Sequence, residues 1–153
     1  MRTFKMAVVI LAYVMVAPLL AQADEAMELE RQIFLSEKKL AVLQNLELTA
    51  SEKEAFWPVY DQYQDELFNV NRKTGQLVMK FAEAYQSLTD DQARELMREY
   101  VKIEKERVKL KESYIKKFEK VLPAKKVMRY LQVENKIDAI ARYELAKGVP
   151  LAK

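Results

Sequence analysis

Residues 56–84 read FWPVYDQYQDELFNVNRKTGQLVMKFAEA. Within them Phe56, Tyr60, Tyr63, Leu67, Val70, Thr74, Leu77, Phe81 and Ala84 stand 4, 3, 4, 3, 4, 3, 4 and 3 residues apart. This is a heptad seam, the spacing that gathers side chains on one side of an α-helix facing another helix. A strand, with its period of two, would scatter them over both faces. The seam predicts a helix from Ala50 to Gln86, about 55 Å long at 1.5 Å per residue. Pro58 removes the hydrogen bond to the Glu54 carbonyl, which predicts a bend near Glu54 to Trp57. Gly75 is a second soft point.

Helical spacing continues on either side. Leu29, Ile33, Leu40 and Leu43 share a face, with Phe34 beside it, and predict a helix from Ala26 to Asn45. Asp90 to Val121 carries a main stripe of Ala93, Leu96, Tyr100, Ile103, Leu110, Tyr114 and Phe118. Met97, Val101, Val108 and Ile115 form a second stripe next to it. Arg107 interrupts the main stripe, and the expectation is that it faces a wet groove. A last helix starts near Pro123 and ends before Gly148, with Pro in the first turn and Gly just past the end. Its inner face is Val127, Leu131, Ile137, Ala141 and Leu145. The expected fold is all-α, with four helices arranged around a long antiparallel helical hairpin. Helices this long, each with two apolar sides, cannot bury all their apolar surface alone, so a homodimer is expected.

Composition narrows the chemistry. The chain has 153 residues with 2 Gly, no Cys and no His, so one domain is expected. Without Cys there is no disulfide, thiolate zinc site, iron–sulfur cluster or cysteine nucleophile. Without His the usual general base and transition-metal ligand are missing. No nucleophile–base pair can be assembled, and the reading is a non-enzymatic protein with no cofactor. Asp61 with Asp65, and Glu134 with Asp138, are i, i+4 carboxylate pairs able in principle to hold Ca²⁺ or Mg²⁺. Solvated acids on helix faces are the ordinary case, and no metal site is assigned. Asp90 and Asp91 suit the positive end of a helix dipole.

The N-terminus reads as an address. Arg2 and Lys5 precede the apolar run Met6 to Ala17, Pro18 breaks it, and Ala21-Gln22-Ala23 supplies small residues for a signal peptidase. The run falls short of the roughly 20 apolar residues of a membrane span. Residues 1–23 are therefore expected to be a cleaved secretory signal, leaving 24–153 as a periplasmic domain with no stable membrane span. Charge is separated along this domain. From Asp24 to Glu66 there are 11 acids against 4 bases, and from Arg98 to Arg129 there are 12 bases against 5 acids. An exported, nearly neutral protein is a poor partner for nucleic acid. The basic stretch suits a solvated face, an acidic arm of the same protein or an acidic partner.

Two short motifs carry a resemblance. Leu48-Thr49-Ala50-Ser51-Glu52 and Leu88-Thr89-Asp90-Asp91-Gln92 both read Leu-Thr-x-x-Glu/Gln, 40 residues apart. Each is a capping box, in which the Thr hydroxyl accepts from the N–H three residues on and the Glu or Gln side chain accepts from the Thr N–H. Two such boxes in an exported helical chain of this size resemble the Spy/CpxP family of periplasmic proteins, defined by repeated LTxxQ motifs. Leu88 to Gln92 matches in full, whereas Leu48 to Glu52 has Glu for Gln. The resemblance spans Leu43 to Leu145. It implies a cradle-shaped antiparallel dimer that acts without ATP, either as a chaperone for unfolded envelope proteins or as a modulator of an envelope-stress sensor kinase through its periplasmic domain. The wider superfamily includes ZraP-like heavy-metal-resistance proteins, and a metal-responsive role is the alternative. With no His and no Cys, this chain lacks the usual ligands for that branch's metal site. A coiled-coil regulatory partner is a further alternative. The client-binding candidates are Lys102, Lys105, Arg107, Lys109, Lys111, Lys116 and Lys117, with Trp57 and Phe68, which lie off the main seam.

Overall fold

The computed structural model describes residues 28, 29 and 31–152. The expected signal segment lies outside them. The described residues form four helices and no strand: α1 over residues 31–45, with 28 and 29 also helical, α2 over Ala50–Ala84, α3 over Asp90–Phe118 and α4 over Ala124–Gly148. The fold is all-α, as the heptad seam requires.

The chain divides into two compact units, Met1–Val42 and Leu43–Lys153. In the first unit, Lys38 and Val42 are buried. Leu29, Ile33, Phe34 and Leu40 are exposed, so the apolar face read from the sequence is the outer one.

In the second unit α2 and α3 form an antiparallel hairpin whose register can be followed by its cross-links. Moving from the turn at 85–89 toward the base, Lys80 pairs with Glu99 at 2.7 Å, Lys73 with Glu106, and the Tyr114 hydroxyl donates to Glu66 at 2.6 Å. The turn is closed by Tyr85 N–H to Ala82 and Ser87 N–H to Ala84. The helix α2 runs unbroken through Pro58. The next helix, α4, runs beside the lower half of the hairpin, parallel to α2 and antiparallel to α3. Lys126 meets Glu52, Tyr130 meets Phe56 and Phe118, Asn135 meets Lys111, and Arg142 meets Glu104.

The core has two characters. At the base it is aromatic: Phe56, Tyr60 and Tyr63 of α2, Tyr114 and Phe118 of α3, and Tyr130 of α4 are all buried. Phe118 and Tyr130 lie 4.8 Å apart between ring centroids, Tyr63 and Tyr114 5.1 Å, and Phe56 and Tyr130 5.3 Å. Their tilted and edge-on packing stabilises each pair by about 0.5–1.5 kcal/mol beyond area burial. Toward the turn the core becomes aliphatic, with Val70, Leu77 and Ile103 buried and Leu96 and Leu110 packed against them.

Helix ends depart slightly from the sequence reading. Pro123 is the N-cap of α4 rather than a first-turn residue, and Gly148 closes the last turn instead of standing past it. Val149, in extended conformation, takes the C-cap position, so this end does not use the left-handed glycine that a Schellman cap requires. Ala141 and Leu145, read as inner-face positions, are exposed at this end of α4.

Candidate functional site

Both capping boxes form. Thr49 Oγ1 accepts from Glu52 N–H at 3.2 Å, and Glu52 Oε2 accepts from Thr49 N–H at 2.7 Å. At the second box Thr89 Oγ1 accepts from Gln92 N–H at 3.3 Å, and Gln92 Oε1 accepts from Thr89 N–H at 2.9 Å. The Glu-for-Gln difference has a structural use. The same Glu52 oxygen accepts from Lys126 Nζ at 2.6 Å, so the first turn of α2 is tied to the first turn of α4. The Lys126 hydrogen bond, followed by that of the Thr49 N–H, holds the Glu52 carboxyl below the usual carboxylate range. Leu48 is buried and Leu88 half-buried, while Thr49, Thr89 and Gln92 are exposed, so in each motif the leucine packs inward and the cap faces solvent.

The basic candidates separate into structural and surface groups. Arg107 does not face a wet groove. It is 8% exposed and lies in the α2–α3 seam, where its guanidinium donates to Asn71 Oδ1, to Thr74 Oγ1 at 3.1 Å and to Glu104 Oε1 at 3.3 Å. Thr74 is the polar position of the α2 seam and Arg107 that of the α3 stripe. Their meeting makes one polar layer within the aliphatic part of the core, between Val70 and Leu77 on α2 and between Ile103 and Leu110 on α3. A buried guanidinium needs its donors satisfied and its charge matched, and these three partners provide both. Lys111 donates to Asn135 Oδ1 of α4 at 3.0 Å, and the Lys117 ammonium sits 3.8 Å from the Tyr114 ring centroid. Lys102, Lys105, Lys109 and Lys116 project from α3 as exposed side chains. Trp57 is half-buried, edge-on to Phe56 and Tyr60 at 5.1 and 5.3 Å, and Phe68 is half-buried on the same helix.

The surface that holds basic and apolar groups together is the outer side of α3. Met97, Tyr100, Val101 and Val108 are between 47% and 60% exposed. A shallow depression there is bounded by Tyr100, Val101, Glu104, Lys105, Val108, Lys109 and Glu112, and a second by Arg94, Met97, Arg98, Val101 and Lys105. Tyr100, read from the sequence as part of the inner stripe, belongs to this outer surface.

A buried polar node was not visible in the sequence. Glu134 of α4 is 2% exposed, and Gln64 Nε2 of α2 donates to it and to the Tyr130 hydroxyl at 3.4 Å. Burial, reinforced by the Glu134 charge, pushes the Tyr60, Tyr63 and Tyr130 phenols well above their usual range. Asp138, the other half of the expected carboxylate pair, is held by Arg142 at 2.8 Å. Among the described residues no three His, Cys, Asp or Glu side chains gather as metal ligands would, and no helix is long and apolar enough to cross a membrane.

No protein-family model, curated protein or solved structure matches this chain.

Proposed function

We propose that this protein is an exported, non-enzymatic binding protein of the periplasm that acts without ATP, shielding apolar segments of non-native envelope proteins in the manner of a chaperone or stress modulator. The observation that supports this most directly is the outer side of α3. Four large apolar side chains stand exposed there among lysines, on a helix whose opposite side packs into the hairpin seam. An exposed apolar strip of this kind marks an interaction surface more often than a solvated one. Methionine and tyrosine adapt to varied partners, and lysine stems add apolar contact while their ammonium groups stay hydrated. The exposed apolar side of α1 supports the accompanying proposal of a homodimer.

The test is to dilute a denatured, unrelated client into the purified protein and follow light scattering at low and high salt. Suppression of scattering near one dimer per client, weakened by salt, is the expected result. Suppression that ignores salt would keep the shielding role and remove its electrostatic part. No suppression at large excess would overturn the general chaperone reading in favour of one dedicated regulatory partner.

A further inference from the structure

We infer that the outer strip of α3 is a docking site for an acidic amphipathic helix of another protein. This rests on the binding function proposed above and narrows it from non-native chain in general to a helical partner of defined charge.

The spacing comes first. Met97, Val101 and Val108 stand 4 and 7 residues apart, with Glu104, paired to Arg107 and Arg142, on the same line between the two valines, and Ile115 continues the series by another 7. That is a second heptad line on the same helix, turned away from the seam that meets α2. Knobs at this period interdigitate with a helix. An extended chain presents side chains to one face every second residue and has no such match. The lower end of the line is already used: Ile115 is half-buried, and Lys111 on the same line bonds to Asn135 of α4. The upper end, from Met97 to Val108, keeps its apolar side chains exposed, and α4 reaches it at Glu104 through Arg142.

Charge then selects the occupant. Arg98, Lys105 and Lys109 run along one side of the strip, 7 and 4 residues apart, and outnumber the acid on that side, Glu112. Four bases of this unit are taken up within the fold: Lys73 pairs with Glu106, Lys80 with Glu99, Lys126 with Glu52 and Arg142 with Asp138. Lys105 and Lys109 form no ion pair among the described residues. Their flank is complementary to a helix bearing Glu or Asp beside its own apolar line. A second copy of α3, laid antiparallel, would bring its Arg98, Lys105 and Lys109 against the same three residues, and like charges at that distance oppose association. The occupant is therefore an acidic helix rather than the same strip of another copy.

The experiment uses three labelled peptides of three heptads each and reads their fluorescence anisotropy on titration with the purified protein. One carries Leu at the core positions with Glu flanks, one carries Lys flanks, and one is a scramble of the acidic peptide without heptad spacing. The acidic heptad peptide is expected to bind at least tenfold tighter than the other two. Val101→Glu, on an exposed position that leaves helicity by circular dichroism unchanged, should weaken it at least tenfold. The double variant Lys105→Glu/Lys109→Glu should move the preference to the Lys-flanked peptide. Equal binding of the scramble would overturn the helical occupant. Loss of a dimer on Val101→Glu, seen by sedimentation, would overturn it in favour of a second copy. If Val101→Glu leaves client suppression intact and no peptide binds, the inference falls while the proposed function stands. If suppression is absent as well, both fall.

Discussion

The base and the tip of the α2–α3 hairpin share one heptad register and are built differently. At the base three helices converge, and six buried aromatic rings from all three fill the space between them. Toward the tip α2 and α3 meet over the small aliphatic cluster of Val70, Leu77 and Ile103. Ion pairs at its edges, Lys73–Glu106 and Lys80–Glu99, involve exposed side chains, and pairs of that kind stabilise by only about 0–1 kcal/mol. The Arg107 layer with Asn71 and Thr74 interrupts that aliphatic cluster between Val70 and Leu77. The exposed apolar side chains of α3 run from Met97 to Val108, and α4 reaches that stretch at Glu104 through Arg142. The difference teaches that a third helix, more than the seam itself, decides where this hairpin is sealed and where it is open for contact.

The largest effect should come from the base. Phe118→Ala removes a ring that touches Phe56, Tyr63 and Tyr130, and it should cost about 3–5 kcal/mol in urea denaturation. Leu77→Ala at the tip should cost less, near 2 kcal/mol, the low end of the range for core truncation. Equal losses would erase the contrast between the regions. Arg107→Ala comes next. It leaves Asn71, Thr74 and Glu104 without their shared donor, at about 2 kcal/mol, a value below that of a fully buried pair because Glu104 is partly exposed. Arg107→Met, with both charge and donors gone but volume kept, should recover part of that loss.

Thr49→Ala and Thr89→Ala each delete one cap and should each cost about 1 kcal/mol. Hydrogen exchange sharpens this prediction. The Thr89 change should raise exchange mainly around the turn, and the Thr49 change throughout the base, because α4 is tied to that cap through Lys126. The smallest effect is a pH effect. The Glu52 carboxyl is held below its ordinary range in the folded protein. Its contribution is therefore fully present above the unfolded value near 4.5 and disappears as pH falls through the lower folded value. Glu52→Gln keeps the cap and loses the charge. Its urea midpoint should lie below that of the parent at pH 7 and converge with it at acid pH. A constant gap down to pH 3 would show that the Lys126 pair is not the source.

Most of the fold was legible because helix formation here is local. Phe56 to Ala84 states its period in its own residues, and both Thr caps state where helices begin. Boundaries shifted by only a turn or less: α2 ends at Ala84 rather than Gln86, and α3 at Phe118 rather than Val121. What the sequence hid depends on which helix lies opposite. The spacing of Leu29, Ile33 and Leu40 identified a face of α1, but periodicity alone carries no sign for inward or outward, and that face is exposed. Arg107 looked like a gap in a stripe because its partners lie 33 and 36 residues away on α2. Glu134 looked like a solvated acid because Gln64 is 70 residues distant. The candidate lysines were a set in sequence, yet Lys111 belongs to the α4 contact while Lys105 and Lys109 reach solvent.

The tie between Glu52 and Lys126 joins residues 74 positions apart, and the node of Gln64 with Tyr130 joins residues 66 apart. Hairpin links near the turn, such as Lys80 with Glu99, close over only 19. Loop closure over short separations is faster and entropically cheaper, so the chain can zip from its turn downward before α4 exists. The base, although the best packed region, is then the last to assemble. A chain made from its N-terminus must extend past Tyr130 before its most stable part can form, and until then the aromatic rings of α2 and α3 stand open to other chains.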